Sequence, residues 1–320
     1  MTNIRDLAKM AGVSVTTVSR VLNHHPYVSE EKRRKVLAAI ETSNYQQNIN
    51  AVHLSTGKTF LIGVVLPYSD HPYFALMVKG IANEALNKNY NLVLIQTNYV
   101  ESRELEGLNM LKQKQIDALI ICSRICEWSV IEEYIQYGPI VLCEKTLGKQ
   151  ASSTFVDHYK VFHFALEYLY EKGHRKIGYC IGRMSGSNSE YRELAYRDFV
   201  NKHDLPNNPH YIFDHCLFLD DGYKVMEQIM EIDDPPTALL VTSDQVAAGI
   251  VASATKNRIS IPNDLAVIGF DNQSIAKVMD ITTIEIPHVE MGRKLFLQAI
   301  DNCGITYEEI PVRLIERKTV

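Results

Sequence analysis

Residues 13–23 read VSVTTVSRVLN: four valines, two threonines and two serines in eleven residues, with neither glycine nor proline. β-Branched and hydroxylated side chains make this stretch a poor helix and a fair strand by propensity. Its surroundings point the other way. IRDLAKMAG before it places Ile4, Leu7, Ala8 and Ala11 on one helical face, and SEEKRRKVLAAIE after it places Val36, Leu37 and Ile40 on another. Gly12 offers a turn residue able to take positive φ, Ser14 is a good N-cap for a second helix, and Ser29 caps a third whose Glu30 and Glu31 suit its positive end. Within the second helix Val18, Val21 and Leu22 point inward, leaving Thr16, Thr17, Ser19 and Arg20 outward or flanking.

Two short helices joined by a glycine turn and braced by a third make a helix-turn-helix module. A helix that enters the major groove gains from hydroxyls that bond bases or phosphates, from methyls that touch thymine, and from an arginine that reaches guanine or phosphate. Helix propensity is given up for a readable face. Charge agrees with this. Through Thr59 the chain carries eight basic and four acidic residues, whereas the remainder holds 25 and 34, so a +4 head precedes a −9 body. That asymmetry suits a nucleic-acid reader attached to something that does not touch nucleic acid. A plain three-helix packing domain is the alternative.

The run IRDLAKMAGVSVTTVSRVLN with VSEEKRRKVLAAIETSNY resembles the DNA-binding head of the LacI/GalR repressor family as far as Tyr45. The resemblance implies base contacts from Val15, Thr16 and Arg20, and backbone positioning by Thr17, Ser19 and Asn23. The following QQNINAVHLSTGKT reads alone as a polar linker. In the resembled family this region forms a short hinge helix on specific DNA, and a leucine wedges into the minor groove. Leu54 falls at that place, and Asn48 and Ala51 match, but Gln47 stands where proline is usual and Val52 where arginine is usual. Packing of Leu54 on the body is the competing role. The division expected is a helix-turn-helix head over 1–46, a hinge over 47–59 and a body over 60–320.

From Phe60 apolar runs alternate with helix-like segments: FLIGVVLPY, NLVLIQT, DALIIC, PIVLCE, TFVD, KIGYCIG, YIFDHCLF, ALLVTS, LAVIGFD and TTIEI. This alternation implies parallel sheets with helices on both faces. Ten or so strands suit two doubly wound α/β lobes better than one sheet, with the changeover near Asp157. Ligands of such sheets sit beyond the carboxyl ends of the strands. The polar residues there are Tyr73 and Phe74, Ser123 and Arg124, Asp157, Arg192 after the SGSNSEY loop, Asp244, and Asp271 with Asn272. The body resembles periplasmic sugar-binding proteins and, through YLYEKGHRKIGYCIG, SDQVAAGIVAS, IPNDLAVIGFDN and RLIERK, the LacI-family effector domain. The resemblance implies effector contacts from Phe74, Ser123, Arg192 and Asp271, with Tyr73 and Asp157 near the site. An arginine and an aspartate that read hydroxyls beside an aromatic ring are sound sugar chemistry; a salt bridge or turn contact at the cleft rim is the ordinary alternative for each.

VLPYSDHPYF and HHPYVSEEKR are similar to the Gram-positive catabolite-control proteins of that family, some of which bind a phosphocarrier protein on the body. The expected protein is therefore a homodimeric, effector-controlled regulator of operator DNA, a repressor of carbohydrate or carbon-source genes. It would be cytoplasmic and nucleoid-associated, without cofactor, metal or membrane partner. A sugar-modifying enzyme with a DNA-binding head is the alternative. GRMSGSN lacks the spacing and the GK[ST] end of a phosphate loop, and neither GxSxG nor HExxH occurs. Cys122, Cys126, Cys143, Cys180, Cys216 and Cys303 form no paired framework and read as small buried hydrophobes in a reducing compartment. His203, His210, Asp214 and His215 read as exposed or packing groups rather than metal ligands.

Overall fold

The computed structural model describes residues 2–23, 25–46, 57–301 and 304–320. They divide into a unit of Met1–Lys58 and a unit of Thr59–Val320. In the first, α1 (Ile4–Ala11) opens on a capping box. Asn3 Oδ1 accepts the N–H groups of Arg5 and Asp6 at 2.8 and 3.1 Å, and Asp6 Oδ2 accepts that of Asn3 at 3.1 Å. Gly12, at φ 63°, closes it. Ser14 caps α2 (Val15–Leu22) by accepting the Thr17 N–H at 3.2 Å, so the valine-rich stretch is helical. Ser29 stands at the N-cap of α3 (Glu30–Ser43) without a side-chain capping bond. Leu7, Ala8, Ala11, Val18, Val21, Val36 and Ala39 form the core of this unit. Leu37, expected inside, is 52% exposed. It lies one helical step off the Val36–Ala39–Ile40 stripe, and the stripe alone faces α1 and α2.

In the second unit, β1 (Leu61–Leu66), β2 (Asn91–Gln96), β3 (Ala118–Ile121), β4 (Ile140–Leu142), β5 (Ser152–Phe155) and β11 (Tyr307–Glu309) form one sheet in the order β11-β5-β4-β3-β1-β2, parallel throughout. The other sheet contains β6 (Ile177–Cys180), β7 (Ile212–Phe213), β8 (Ala238–Val241), β9 (Ala266–Phe270), β10 (Thr282–Glu285) and β12 (Arg313–Ile315). Its order is β12-β10-β9-β8-β6-β7, with only β10–β12 antiparallel. The central strands are buried on both faces, which is why they read as unbroken apolar runs.

The chain changes lobe three times rather than once. It leaves the first sheet after β5 into α7 (His158–Glu171). It returns after β10 through α12 (His288–Ile300), which packs on α4 (Pro72–Asn87) and behind β3, β4 and β5. It passes back between β11 and β12. All three passages use the β5/β11 edge of the first sheet; the second and third join it to the β10/β12 edge of the other, whereas the first enters at β6, next to the β7 edge. One apolar cluster spans them, with Leu66, Met77 and Phe296 from the first lobe and Phe162, Tyr179 and Phe270 from the second. Where the body begins, the Asp117 carboxylate accepts the Thr59 N–H and hydroxyl at 2.7 and 2.8 Å and the Phe60 N–H at 3.0 Å. This fixes the segment that leads into β1.

Each lobe contains one helix crossing that admits only glycine. A Cβ on Gly80 of α4 would lie 2.0 Å from the Val289 carbonyl oxygen, and one on Gly292 of α12 would lie 2.1 Å from that of Met77. In the other lobe, Gly222 of α9 (Leu219–Met230) and Gly249 of α10 (Asp244–Lys256) meet the Val246 and Leu219 oxygens at 2.3 and 2.0 Å. Backbone cannot yield as a side chain can. Gly80→Ala is therefore expected to destabilise the body by about 1–3 kcal/mol through overpacking, read as a lower urea midpoint; an unchanged midpoint would mean that the two helices do not need this approach.

Candidate functional site

On α2 the buried residues are Val18 and Val21. Thr16, Ser19, Arg20 and Asn23 follow one another at helical spacing on the opposite side. Thr16, Arg20 and Asn23 are exposed, Ser19 is half-buried, and Val15 is 41% exposed at the helix start. Thr17 is half-buried, and its hydroxyl lies 2.9 Å from that of Ser14. Asn23 donates to the Ser19 hydroxyl at 3.4 Å. Six of the seven expected DNA contacts thus lie on or beside one helix face. Leu54, with Gln47, Asn48, Ala51 and Val52, lies outside the described residues.

In the body the carboxyl ends of the two sheets face each other across a cavity lined by Tyr73, Phe74, Ser123, Arg192 and Asp271, together with His71, Arg183 and Asn188. Tyr73 packs edge-on against Phe74 and His288, with ring centroids 4.8 and 4.6 Å apart. Asp271 sits at φ 96°, a backbone region that L-residues rarely occupy, and is followed by Asn272 at 50°. Its Oδ1 meets His288 Nε2 at 2.9 Å and its Oδ2 accepts from Gln273 Nε2 at 3.1 Å. Arg192 lies in the second turn of α8 (Ser187–Lys202), because SGSNSEY is the start of that helix and not a loop. Its guanidinium reaches His158 Nδ1 at 3.3 Å. Burial, with Arg192 and His288 nearby, holds the His158 pKa well below the usual imidazole value, so Nδ1 is free to accept.

Asp157 does not join this group. Its carboxylate caps α7 by accepting the Lys160 N–H at 3.1 Å and pairs with Lys145 at 2.9 Å. The first passage between lobes needs a helix start there, and that requirement takes up the side chain.

Polar contacts cross the cleft at several points. His71 accepts the Tyr73 N–H at Nδ1 and meets the Leu217 carbonyl oxygen at Nε2, 3.0 Å away. Burial lowers its pKa and keeps the ring neutral, so Nε2–H is the donor. Arg183 donates to the Arg124 carbonyl oxygen at 2.8 Å and lies over the Tyr99 ring, 4.3 Å from its centroid. The Glu144 carboxylate accepts from Arg124 within its own lobe and from the Ser187 hydroxyl of the other. Of these, only Arg124 stood out in the sequence. Arg183 sits in the GRMSGSN segment, whose resemblance to a phosphate loop fails on spacing. His71 lies in VLPYSDHPYF, a stretch singled out for its resemblance and not for a role in the cleft, and His288 stands in no motif.

Outside the cleft, His203 stacks on Tyr170 at 3.9 Å and faces Glu167 at 3.0 Å. Cys122, Cys126, Cys143, Cys180 and Cys216 are buried free thiols. Among the described residues no helix is long and apolar enough to cross a membrane.

Residues 3–48 match the bacterial regulatory proteins of the lacI family, and residues 59–318 match the periplasmic binding proteins and sugar binding domain of the LacI family. The chain belongs to the LacI family. It is similar to the HTH-type transcriptional regulator YkvZ of Bacillus subtilis strain 168, at 40% identity over the full length of both chains. It is also similar to catabolite control protein B of the same strain, at 37% identity over 93% of this chain and 95% of that one. The crystal structure of the lac repressor dimer bound to operator and the anti-inducer ONPF is 25% identical, with a TM-score of 0.82, covering 99% of this chain and 98% of that one. This LacI-family protein is a DNA-binding transcriptional regulator with a sugar-binding type of body, and its relatives are regulators rather than the sugar-modifying enzyme considered as the alternative.

Beneath Asp271, the Asp244 carboxyl accepts the Gln273 N–H and the Thr283 hydroxyl, each at 2.7 Å. Burial, reinforced by the nearby Asp271, raises its pKa to about 8. An aspartate raised in the fold holds a proton that the unfolded chain has already lost. The resulting stability is complete below the unfolded value of about 3.9 and is lost as pH rises towards 8. The Asp244 contribution to stability is therefore expected to fall between pH 5 and 8 in the LacI-family protein, opposite to the rise from buried neutral His71 and His158, and Asp244→Asn is expected to remove that falling component from the slope. Thermal melts across this range check it; an equal slope in both proteins would place the ionised form in the fold.

Proposed function

We propose that this LacI-family regulator is a cytoplasmic homodimeric repressor. Its two heads read half-sites of a pseudo-palindromic operator, and a sugar or related metabolite in the cleft sets their activity. It acts by binding and not by turnover. The observation that carries the DNA-reading half is the polar stripe of Thr16, Ser19, Arg20 and Asn23 opposite the buried valines of α2. Val15, Thr16 and Arg20 read bases, whereas Thr17, Ser19 and Asn23 hold the phosphate backbone. Leu54 wedges between the central base pairs of the operator, from a hinge over 47–59. Tyr73 and Phe74 offer a ring face, and Ser123, Arg192 and Asp271 bind polar groups of the effector. The similarity to catabolite control protein B supports carbon-source genes as targets.

Arg20→Ala and Thr16→Ala are each expected to weaken binding to the specific operator by about 1–3 kcal/mol and to relax preference at one symmetric base pair. Fluorescence anisotropy with single-base operator variants measures this. Equal loss on every sequence would assign the residue to phosphates, and no loss would take it out of the interface.

Arg192→Ala and Asp271→Ala are expected to leave operator binding in place and to abolish the response to effector. Because coupling between sites is reciprocal, saturating operator must change effector affinity in the wild type by the same factor as effector changes operator affinity. Calorimetric titration with and without operator duplex is the check; identical effector affinity in both would remove the cleft as the switch.

A further inference from the structure

The cavity wall carries more guanidinium groups than carboxylates. Two guanidinium groups, Arg183 and Arg192, line it, and the carboxylate that lines it with them is Asp271. Both Asp271 oxygens already have partners, His288 of α12 and Gln273. Arg183 meets neutral groups: the Arg124 carbonyl oxygen, the Ser123 hydroxyl at 3.4 Å and the face of Tyr99. Arg192 meets neutral His158, and its Nε, which has no exposed surface, has no hydrogen-bond partner among the described residues. Burial lowers the Arg192 pKa even though Tyr73 and Asp271 oppose the shift. Taking guanidinium groups partly out of water is costly, and an anion that arrives with the ligand offsets that cost. The same wall of the cavity is the start of α8, where Gly186 supplies no capping side chain and Asn188 and Ser189 face the cavity; the Glu144 carboxylate that accepts from the Ser187 hydroxyl there is itself paired with Arg124. The amide end of this 16-residue helix adds positive potential.

We propose that the effector of this protein is a sugar that carries an anionic group, a phosphate ester or a carboxylate, and that Arg183 and Arg192 hold that group at the start of α8. The proposal rests on the cleft being the effector site. Arg183 belongs to the second lobe and already reaches the first, so an anion seated on it is held where the lobes meet. Its planar fork suits bidentate contact with phosphate or carboxylate oxygens. Asp271 and the Tyr73–Phe74 rings are left to take the hydroxyls and the ring face of the sugar.

The experiment is isothermal calorimetry and thermal melting of the full chain with matched probes: glucose, glucose 6-phosphate, glucuronate, and inorganic phosphate alone. The same panel is run on other hexoses in neutral, phosphorylated and acid forms. The expected result is that the anionic member of at least one set binds roughly ten- to a hundredfold more tightly than its neutral parent, as charge-assisted hydrogen bonds predict. That preference should shrink with added salt, and inorganic phosphate should compete. Arg183→Gln should abolish the preference, and Arg183→Lys, which keeps the charge but not the fork, should retain part of it. A phosphate ester favoured over the acid, or the reverse, identifies which anion is used. Neutral sugars that bind as well as their anionic forms would overturn the anionic subsite and leave the effector cleft standing. No binding by any probe, inorganic phosphate included, would overturn both. The wild-type comparison alone decides the matter if an Arg183 variant does not fold.

Discussion

The body depends on one topological constraint: the chain passes three times between its two sheets, each time by way of the β5/β11 edge of the first. Parallel strands deliver their loops at their carboxyl ends, so two sheets tied in this way bring both sets of loops to one cleft. Tyr73, Phe74 and Ser123 come from one lobe, and Arg183, Arg192 and Asp271 from the other. The tied side is apolar and continuous, with Leu66, Phe162, Tyr179 and Phe296 in a single cluster. The mouth is held instead by a few polar contacts, those of His71 with Leu217, Arg183 with Arg124, and Glu144 with Ser187. Close-packed apolar cores resist rearrangement, whereas exchangeable hydrogen bonds do not. Rotation about the tied edge is therefore the soft motion of the body, and it breaks the contacts that flank the ligand first. The segment that leads into β1 is clamped by Asp117 of the first lobe, so that segment moves with that lobe.

Sequence carried the alternation of strands and helices because parallel strands buried on both faces must be apolar throughout. It did not carry β11 and β12. These are three-residue segments, YEE and RLI, without a buried face, and their pairing is set by a free sheet edge and not by their own pattern. With them went the second and third passages between the lobes. In the head, the hydroxyl-rich helix could be placed from its flanks, while the exposure of Leu37 shows how a single helical step decides burial.

The cleft was partly legible for a related reason. Residues at strand ends, such as Ser123 and Asp271, are placed by topology alone. Residues whose role depends on a partner far along the chain are not. Asp157 sits at a strand end, yet the helix start at the first passage uses its carboxylate. His288 meets Asp271 across 17 positions, and Arg183 meets Arg124 across 59. Neither distance leaves a mark on the local pattern. Arg192 lines the cavity from within α8 and not from a loop: Ser187–Asn188–Ser189 has a loop composition, but the chain turns at Gly186, at φ 103°, and enters the helix there.

The floor of the cleft shows how the fold sets the charge that a ligand meets. Asp244 and Asp271 lie close enough for one to raise the other's pKa, and both are buried. Two ionised carboxylates there would repel each other in a medium of low dielectric. Asp244 is the one with an ordinary place in the structure. It begins α10, accepts the Gln273 N–H, and faces the Thr283 hydroxyl, which can donate or accept. With a pKa of about 8 it is mostly protonated at neutral pH. It therefore braces the strained Asp271–Asn272 turn through neutral hydrogen bonds and adds no charge to the cavity. Asp271, held at φ 96° by His288 and Gln273, remains the acidic group on the cavity wall. Against it stand Arg183 and Arg192 on the same cavity wall.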